Sequence, residues 1–182
     1  MLYSFYELGH WSVAPLRIAA MMQAGLFRSP LNPMAGSEVA RTAAAAADLF
    51  ESVTRRYRKP AWNLAPLERA GVEIPVTPVK AWSSPWCDLI HFARDAAAMK
   101  KAGAQAPQPS VLLVAPMSGH YATLLRGTVE AFLPDHEVYI SDWADARNVP
   151  LGAGRFDYHD YIDHVREMIR AIGPDAHVVA VC

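Results

Sequence analysis

The chain has little of what would assign it to a specialised class. It has two cysteines in 182 residues, Cys87 and Cys182. At most one disulfide can form, which excludes a disulfide-stapled secreted domain and favours a reducing compartment. Neither charge is in surplus: 17 basic and 18 acidic side chains leave a formal net charge of -1, so no electrostatic footprint points to nucleic acid. Glycine-rich dinucleotide fingerprints and P-loops are absent, and so are internal repeats. The opening stretch, "MLYSFYELGHWSVAPLRIAAMMQAGLF", is apolar and aromatic but has no basic n-region. Glu7, His10, Pro15 and Arg17 interrupt it, so it reads as neither a leader nor a bilayer span.

What remains is a composition suited to a globular protein. At 52% hydrophobic and 19% charged, the chain can bury a sizeable core. Its first part, residues 1–60, reads as helical. The opening stretch is expected to be a helix packed on the rest of the protein, with an apolar surface as the alternative support for its aromatic side. "RSPLNPMAGS" breaks the chain. Ser37 then reads as an N-cap, with Glu38 in the first turn. Val39, Ala43, Ala46, Phe50, Val53 and Tyr57 follow at helical spacing and predict the packing face. Arg55, Arg56 and Arg58 suit a helix C-terminus, and Pro60 is expected to stop the helix.

From residue 72 the pattern changes. "VEIPVTPVKAW" and "WCDLIHFAR" predict strands, and their prolines put the first near a sheet edge. "SVLLVAP" is a continuous apolar run, as expected for a strand covered on both faces. A helix from "MSGHYATLLRGTVEAFL", a strand "HEVYISDW", a loop, a helix "DYHDYIDHVREMIRAIG" with Gly173 at its C-cap, and a strand "AHVVAVC" complete the alternation. Strand, helix, strand, helix, strand predicts βαβ units and a mostly parallel sheet over 72–182. Right-handed crossovers then bring the carboxyl ends of the strands, and any site, to one edge.

Three strand ends meet that expectation: "APMSGH", "SDW" and Cys182. A cysteine at a strand-to-helix turn has its thiol raised into the cleft, and the following helix N-terminus lowers its pKa. No Gly-x-Cys pattern precedes it, because Ala180 stands two residues before. Met117 and Ser118 are candidates for a backbone oxyanion donor in the loop after an α/β-hydrolase's third strand. His120 is a candidate substrate contact in the same loop, with simple loop closure as its other role. Asp142, at a strand end, is a candidate catalytic acid, with capping or bracing of the "DWADARN" loop as its favoured role. Asp160 and His164, four apart on a helix, have a spacing that can grip a metal, but no third ligand accompanies them.

"VLLVAPMSGHYATLLRGTVEAFLPDHEVYISDWADARNVPL" and "GRFDYHDYIDHVREMIRAIGPDAHVVAVC", with "MLYSFYELGH" and "PVTPVKAWSSPWCDLIHFAR" before them, resemble the intracellular polyhydroxyalkanoate depolymerases. The resemblance implies a partial α/β-hydrolase fold behind an N-terminal helical segment. It implies an enzyme that hydrolyses stored poly(3-hydroxybutyrate) in the cytoplasm, at the storage-granule surface, with Cys182 as nucleophile and no metal or organic cofactor. A polyhydroxyalkanoate synthase-like acyltransferase and a non-enzymatic granule-associated protein are the alternatives. The triad Asp and His of such enzymes follow the nucleophile. They are therefore expected beyond Cys182, in a longer protein of which this chain alone would be inactive.

Overall fold

The computed structural model describes residues 2–104, 107–117 and 121–181. The chain forms two compact units, Met1–Arg58 and Lys59–Cys182.

The first unit is a helical hairpin of α1 (Leu2–Arg28) and α2 (Glu38–Thr54). Ser37 caps α2, its hydroxyl accepting from the Ala40 N–H at 3.2 Å. The seam is thin: Ala24 of α1 and Ala44 and Ala47 of α2 are its buried members, flanked by Ala20 and Phe27. This corrects the packing face read from the sequence. Val39, Val53 and Tyr57 are exposed, and the buried positions of α2 are Ala40, Ala44 and Ala47. Methyl side chains let the two backbones approach closely, so the alanine stripe displaces the bulkier face beside it. The helix also ends at Thr54 rather than continuing through the arginines. Arg56 reaches back to Glu7 of α1 at 2.6 Å, and Arg55 lies over the Tyr57 ring.

The second unit carries a five-stranded sheet in the order β3-β4-β6-β5-β7. Its strands are β3 (Val76–Ser83), β4 (Cys87–Arg94), β5 (Ser110–Val114), β6 (Glu137–Trp143) and β7 (His177–Ala180). A separate two-stranded ribbon, β1 (Leu67–Arg69) with β2 (Val72–Ile74), precedes it. The sheet is mixed rather than mostly parallel. β5 runs parallel to both β6 and β7, whereas β3 with β4 and β4 with β6 are antiparallel. The cause is local. Only Ser84–Trp86 join β3 to β4, too short for a crossover. The Ser84 hydroxyl accepts the N–H groups of Trp86 and Cys87 at 3.1 and 3.0 Å and so closes that turn. Pro75 separates β2 from β3, and the proline-bearing β3 is an edge strand of the sheet, as its composition predicts.

β5 is covered on both faces. Val111 and Leu113 pack with α4 (Arg126–Phe132) through Val129, while Leu112 and Val114 pack with α5 (Tyr158–Ile172) through Met168. A short helix α3 (Ala96–Lys101) follows β4. Helix α4 is shorter than the sequence implies, because a 3-10 turn at Ala122–Leu125 precedes it. Asp157 and Asp160 form a capping box at the start of α5, and Gly173 ends that helix with a φ of 125° that side-chain-bearing residues avoid. β7 departs from its buried-looking sequence. It is an edge strand, and His177, Val178 and Ala180 are exposed. Among the described residues no helix is long and apolar enough to cross a membrane.

A charged tie closes the other end of the sheet. The Arg94 side chain, only 2% exposed, pairs with Glu137 and donates to the Leu133 carbonyl at 2.8 Å. His91 Nε2 lies 2.9 Å from the same carboxylate. The hydrogen bond from His91, then the Arg94 charge, hold the Glu137 carboxyl below its usual range despite partial burial. Its contribution to stability is therefore complete above the unfolded-state pKa of about 4.3, and is lost as pH falls toward the lower folded-state value. Urea unfolding at neutral pH and at about pH 3 should show the loss. Glu137→Gln should begin less stable and change less between the two conditions.

Candidate functional site

Parallel strands that share one edge expose their carboxyl ends together, and that edge is where a ligand cleft forms. Here the register makes the coincidence close. Val114 of β5 stands opposite Ala180 of β7, and Leu113 opposite Ile140 of β6. The Val181 N–H continues the ladder by donating to the Val114 carbonyl at 3.1 Å. The chain that leaves β7 and the loop that leaves β5 at Ala115 therefore emerge side by side.

The start of that loop is fixed by β6. The Ala115 N–H donates to the Ser141 hydroxyl at 2.9 Å, and Trp143 Nε1 donates to the Ala115 carbonyl at 3.1 Å. All three residues are buried. Hydrogen bonds on the two peptide planes that flank its Cα hold Ala115 in place, and two residues later Met117 emerges at the rim, 52% exposed. Of the residues expected at the site, Met117 is thus on the carboxyl edge beside the end of β7. Ser118, His120 and Cys182 lie outside the described residues.

Asp142 has a different place from the one expected. It is buried and paired with Lys59, while its Oδ1 has no hydrogen-bond partner. The "DWADARN" loop is braced instead by Asp145, which accepts from the Arg147 N–H at 3.1 Å and from its Nε at 2.8 Å. Asp160 and His164 are both engaged elsewhere. The Asp160 carboxylate accepts from the Asp157 N–H at 2.8 Å. His164 places Nδ1 2.8 Å from the Asp160 carbonyl and Nε2 3.0 Å from the Ser84 hydroxyl.

The α5 side of the same edge is aromatic, a feature not anticipated from the sequence. Trp143 stacks on Tyr161 at 4.8 Å, Trp86 lies tilted against Phe156 at 4.9 Å, and His164 meets Trp82 edge-on at 5.5 Å. The aromatic residues come from four separate segments, so no local motif announces them. Beneath them Cys87 is 1% exposed. Burial is the main cause that pushes its thiol far above the ordinary range, with the nearby carboxylates adding to it. A thiol so held stays protonated and is a poor nucleophile.

Comparison with family models, curated proteins and solved structures gave no match.

Two measurements test this geometry. Ser141→Ala leaves the buried Ala115 N–H without its acceptor and should cost about 1–3 kcal/mol in urea unfolding. In a Cys182→Ser chain, an aromatic disulfide reagent should modify Cys87 roughly 100-fold more slowly in the folded than in the urea-unfolded state.

Proposed function

We propose that the protein is a carboxylic ester hydrolase of the Cys-type α/β-hydrolase class, acting on stored poly(3-hydroxybutyrate) as an intracellular polyhydroxyalkanoate depolymerase. The observation that carries the reading is the hydrogen bond from Val181 to Val114. It joins the chain leading into Cys182 to the strand leading into Met117. Strand order supports it further. β5 is the third strand of the five-stranded sheet in chain order. The loop after the third strand is where an α/β-hydrolase takes one oxyanion-hole N–H.

In this reading a histidine base takes the Cys182 proton, and the thiolate attacks an ester carbonyl of the polymer. The backbone N–H of Met117 or Ser118 receives the oxyanion, a donor of a kind whose removal costs roughly 3 kcal/mol of barrier. The carbon–oxygen bond then breaks. The leaving alkoxide takes the proton from the histidine, and the acyl group remains as a thioester on Cys182. Water, deprotonated by the same base, hydrolyses the thioester and releases 3-hydroxybutyrate or a short oligomer. His120 contacts the substrate from the Met117 loop. The histidine base and its orienting carboxylate are not assigned to residues of this chain. The chemistry needs no metal or organic cofactor, and the granule polymer is both substrate and partner.

Incubating the intact protein with amorphous poly(3-hydroxybutyrate) granules, with hydroxyacyl-coenzyme A in parallel, tests the assignment. Release of 3-hydroxybutyrate should fall by roughly 1,000-fold or more in Cys182→Ala. Unchanged release in that variant would sink the nucleophile. Consumption of the thioester instead of the polymer would point to acyl transfer to a growing chain.

A further inference from the structure

The chain enters its second unit through a stretch without regular structure. Residues 56–66 form no helix, strand or turn, and the boundary between the two compact units falls between Arg58 and Lys59. The sequence accounts for this. Arg55, which caps α2, is already extended at φ -76° and ψ 155°, and Pro60 drives Lys59 before it out of the helical region. All of residues 55–60 are exposed. Among the described residues, the backbone N–H and C=O groups of 56–60 find no partner in the chain. An extended, unpaired backbone can be taken up by another protein as an added strand, and exposed segments of this kind are where proteases cut.

The stretch is also strongly basic, with Arg55, Arg56, Arg58 and Lys59 close together. Three of them are engaged. Arg55 lies 4.5 Å over the Tyr57 ring, Arg56 pairs with Glu7, and Lys59 pairs with Asp142. Arg58 has no hydrogen bond, ion pair or ring contact among the described residues. Its guanidinium can enter a specificity pocket with a carboxylate at its base, as in trypsin. Basic residues elsewhere are less well placed. Arg28 ends α1 and pairs with Asp48, Lys100 and Lys101 close α3, and Arg147 is bound to Asp145. Arg155 is exposed and outside any helix or strand. Gly154 before it, however, has a φ of 90°, and Phe156 after it packs against Trp86 and Trp143. That backbone cannot lie extended in a cleft without rearranging. The remaining basic residues lie within helices or strands.

We infer that the Arg58–Lys59 peptide bond is a processing site for an endopeptidase that recognises a basic side chain. In the cut, the oxygen of a water goes to the Arg58 carbonyl carbon and its two hydrogens go to the Lys59 nitrogen. The carbon–nitrogen bond breaks, leaving an Arg58 carboxylate and a Lys59 ammonium. No buried residue lies within 55–60, so the cut removes no core side chain from the hairpin or from the sheet unit. It divides the chain at the boundary of its two compact units. The inference is independent of the proposed ester chemistry.

Brief trypsin treatment of the intact chain, followed by mass spectrometry of the products, tests it. The first pair of products should be residues 1–58 and 59–182. Arg58→Gln should slow the first cut by roughly tenfold or more, and Arg58→Lys should restore it. Ser141→Ala, which weakens the sheet unit, should leave the rate of that cut unchanged, because a site open in the native fold does not wait for unfolding. Far-UV circular dichroism should retain its helical and strand signal after complete conversion. A first cut after Arg28, Lys101 or Arg155 would overturn the inference, as would an Arg58→Gln chain cleaved as fast as the unsubstituted one. Faster cleavage in Ser141→Ala, or loss of the dichroism signal on cleavage, would overturn it in favour of cutting through unfolding.

Discussion

The arrangement of the second unit depends on β5 pairing in parallel with strands on both of its sides. Val111–Val114 are buried without interruption, so this strand has no register in which a polar face could turn to water. Its alternating side chains are divided between the α4 and α5 layers. A one-residue slip would exchange those two sets and misfit both layers. Because the register is so constrained, the carboxyl ends of β5, β6 and β7 coincide. The Ser141 and Trp143 bonds to Ala115 then transmit that constraint into the first residues of the loop. Whatever chemistry the edge performs, its donor groups start from a fixed point.

Legibility from sequence follows the number of constraints acting on each segment. β5 was readable because one requirement, burial on both faces, dictates a continuous apolar run. The caps of α2 and α5 were readable because Ser37, Asp157 and Gly173 act on their own backbone. The α2 packing face was not. Its bulkier apolar residues at helical spacing predicted one stripe, while contact distance to α1 selected the alanines one position along. The exposure of β7 was not legible either. "HVVA" satisfies a buried strand and an exposed edge strand equally, and neighbours rather than composition decide between them. The mixed sheet was legible in principle, since three residues between β3 and β4 permit only a hairpin.

The candidate site divides in the same way. That Met117 follows an interior strand was implied by the apolar run before it, and the edge it occupies follows from the parallel direction of β5, β6 and β7. Lys59 as the partner of Asp142 was not legible. The two are 83 residues apart, and nothing local distinguishes an aspartate that braces its loop from one that grips a distant lysine. Ser84 carried a usable signal, a serine before a short turn, but its contact with His164 depends on how α5 packs over the sheet.

The contrast between the environments of the two cysteines sharpens the chemical reading. Cys87 begins β4, an antiparallel strand, so it enters the sheet at the same edge where the parallel strands leave it. It is capped there by the aromatic layer from β6 and α5. Desolvation and the neighbouring carboxylates both oppose a thiolate at that position. The proposed acyl transfer calls for the opposite setting, a thiol that follows a parallel strand at its carboxyl end. In the chain's order Cys182 follows β7, a strand parallel to β5. The environment of Cys87 thus argues against it as the nucleophile of the proposed reaction, and the proposal assigns that role to Cys182.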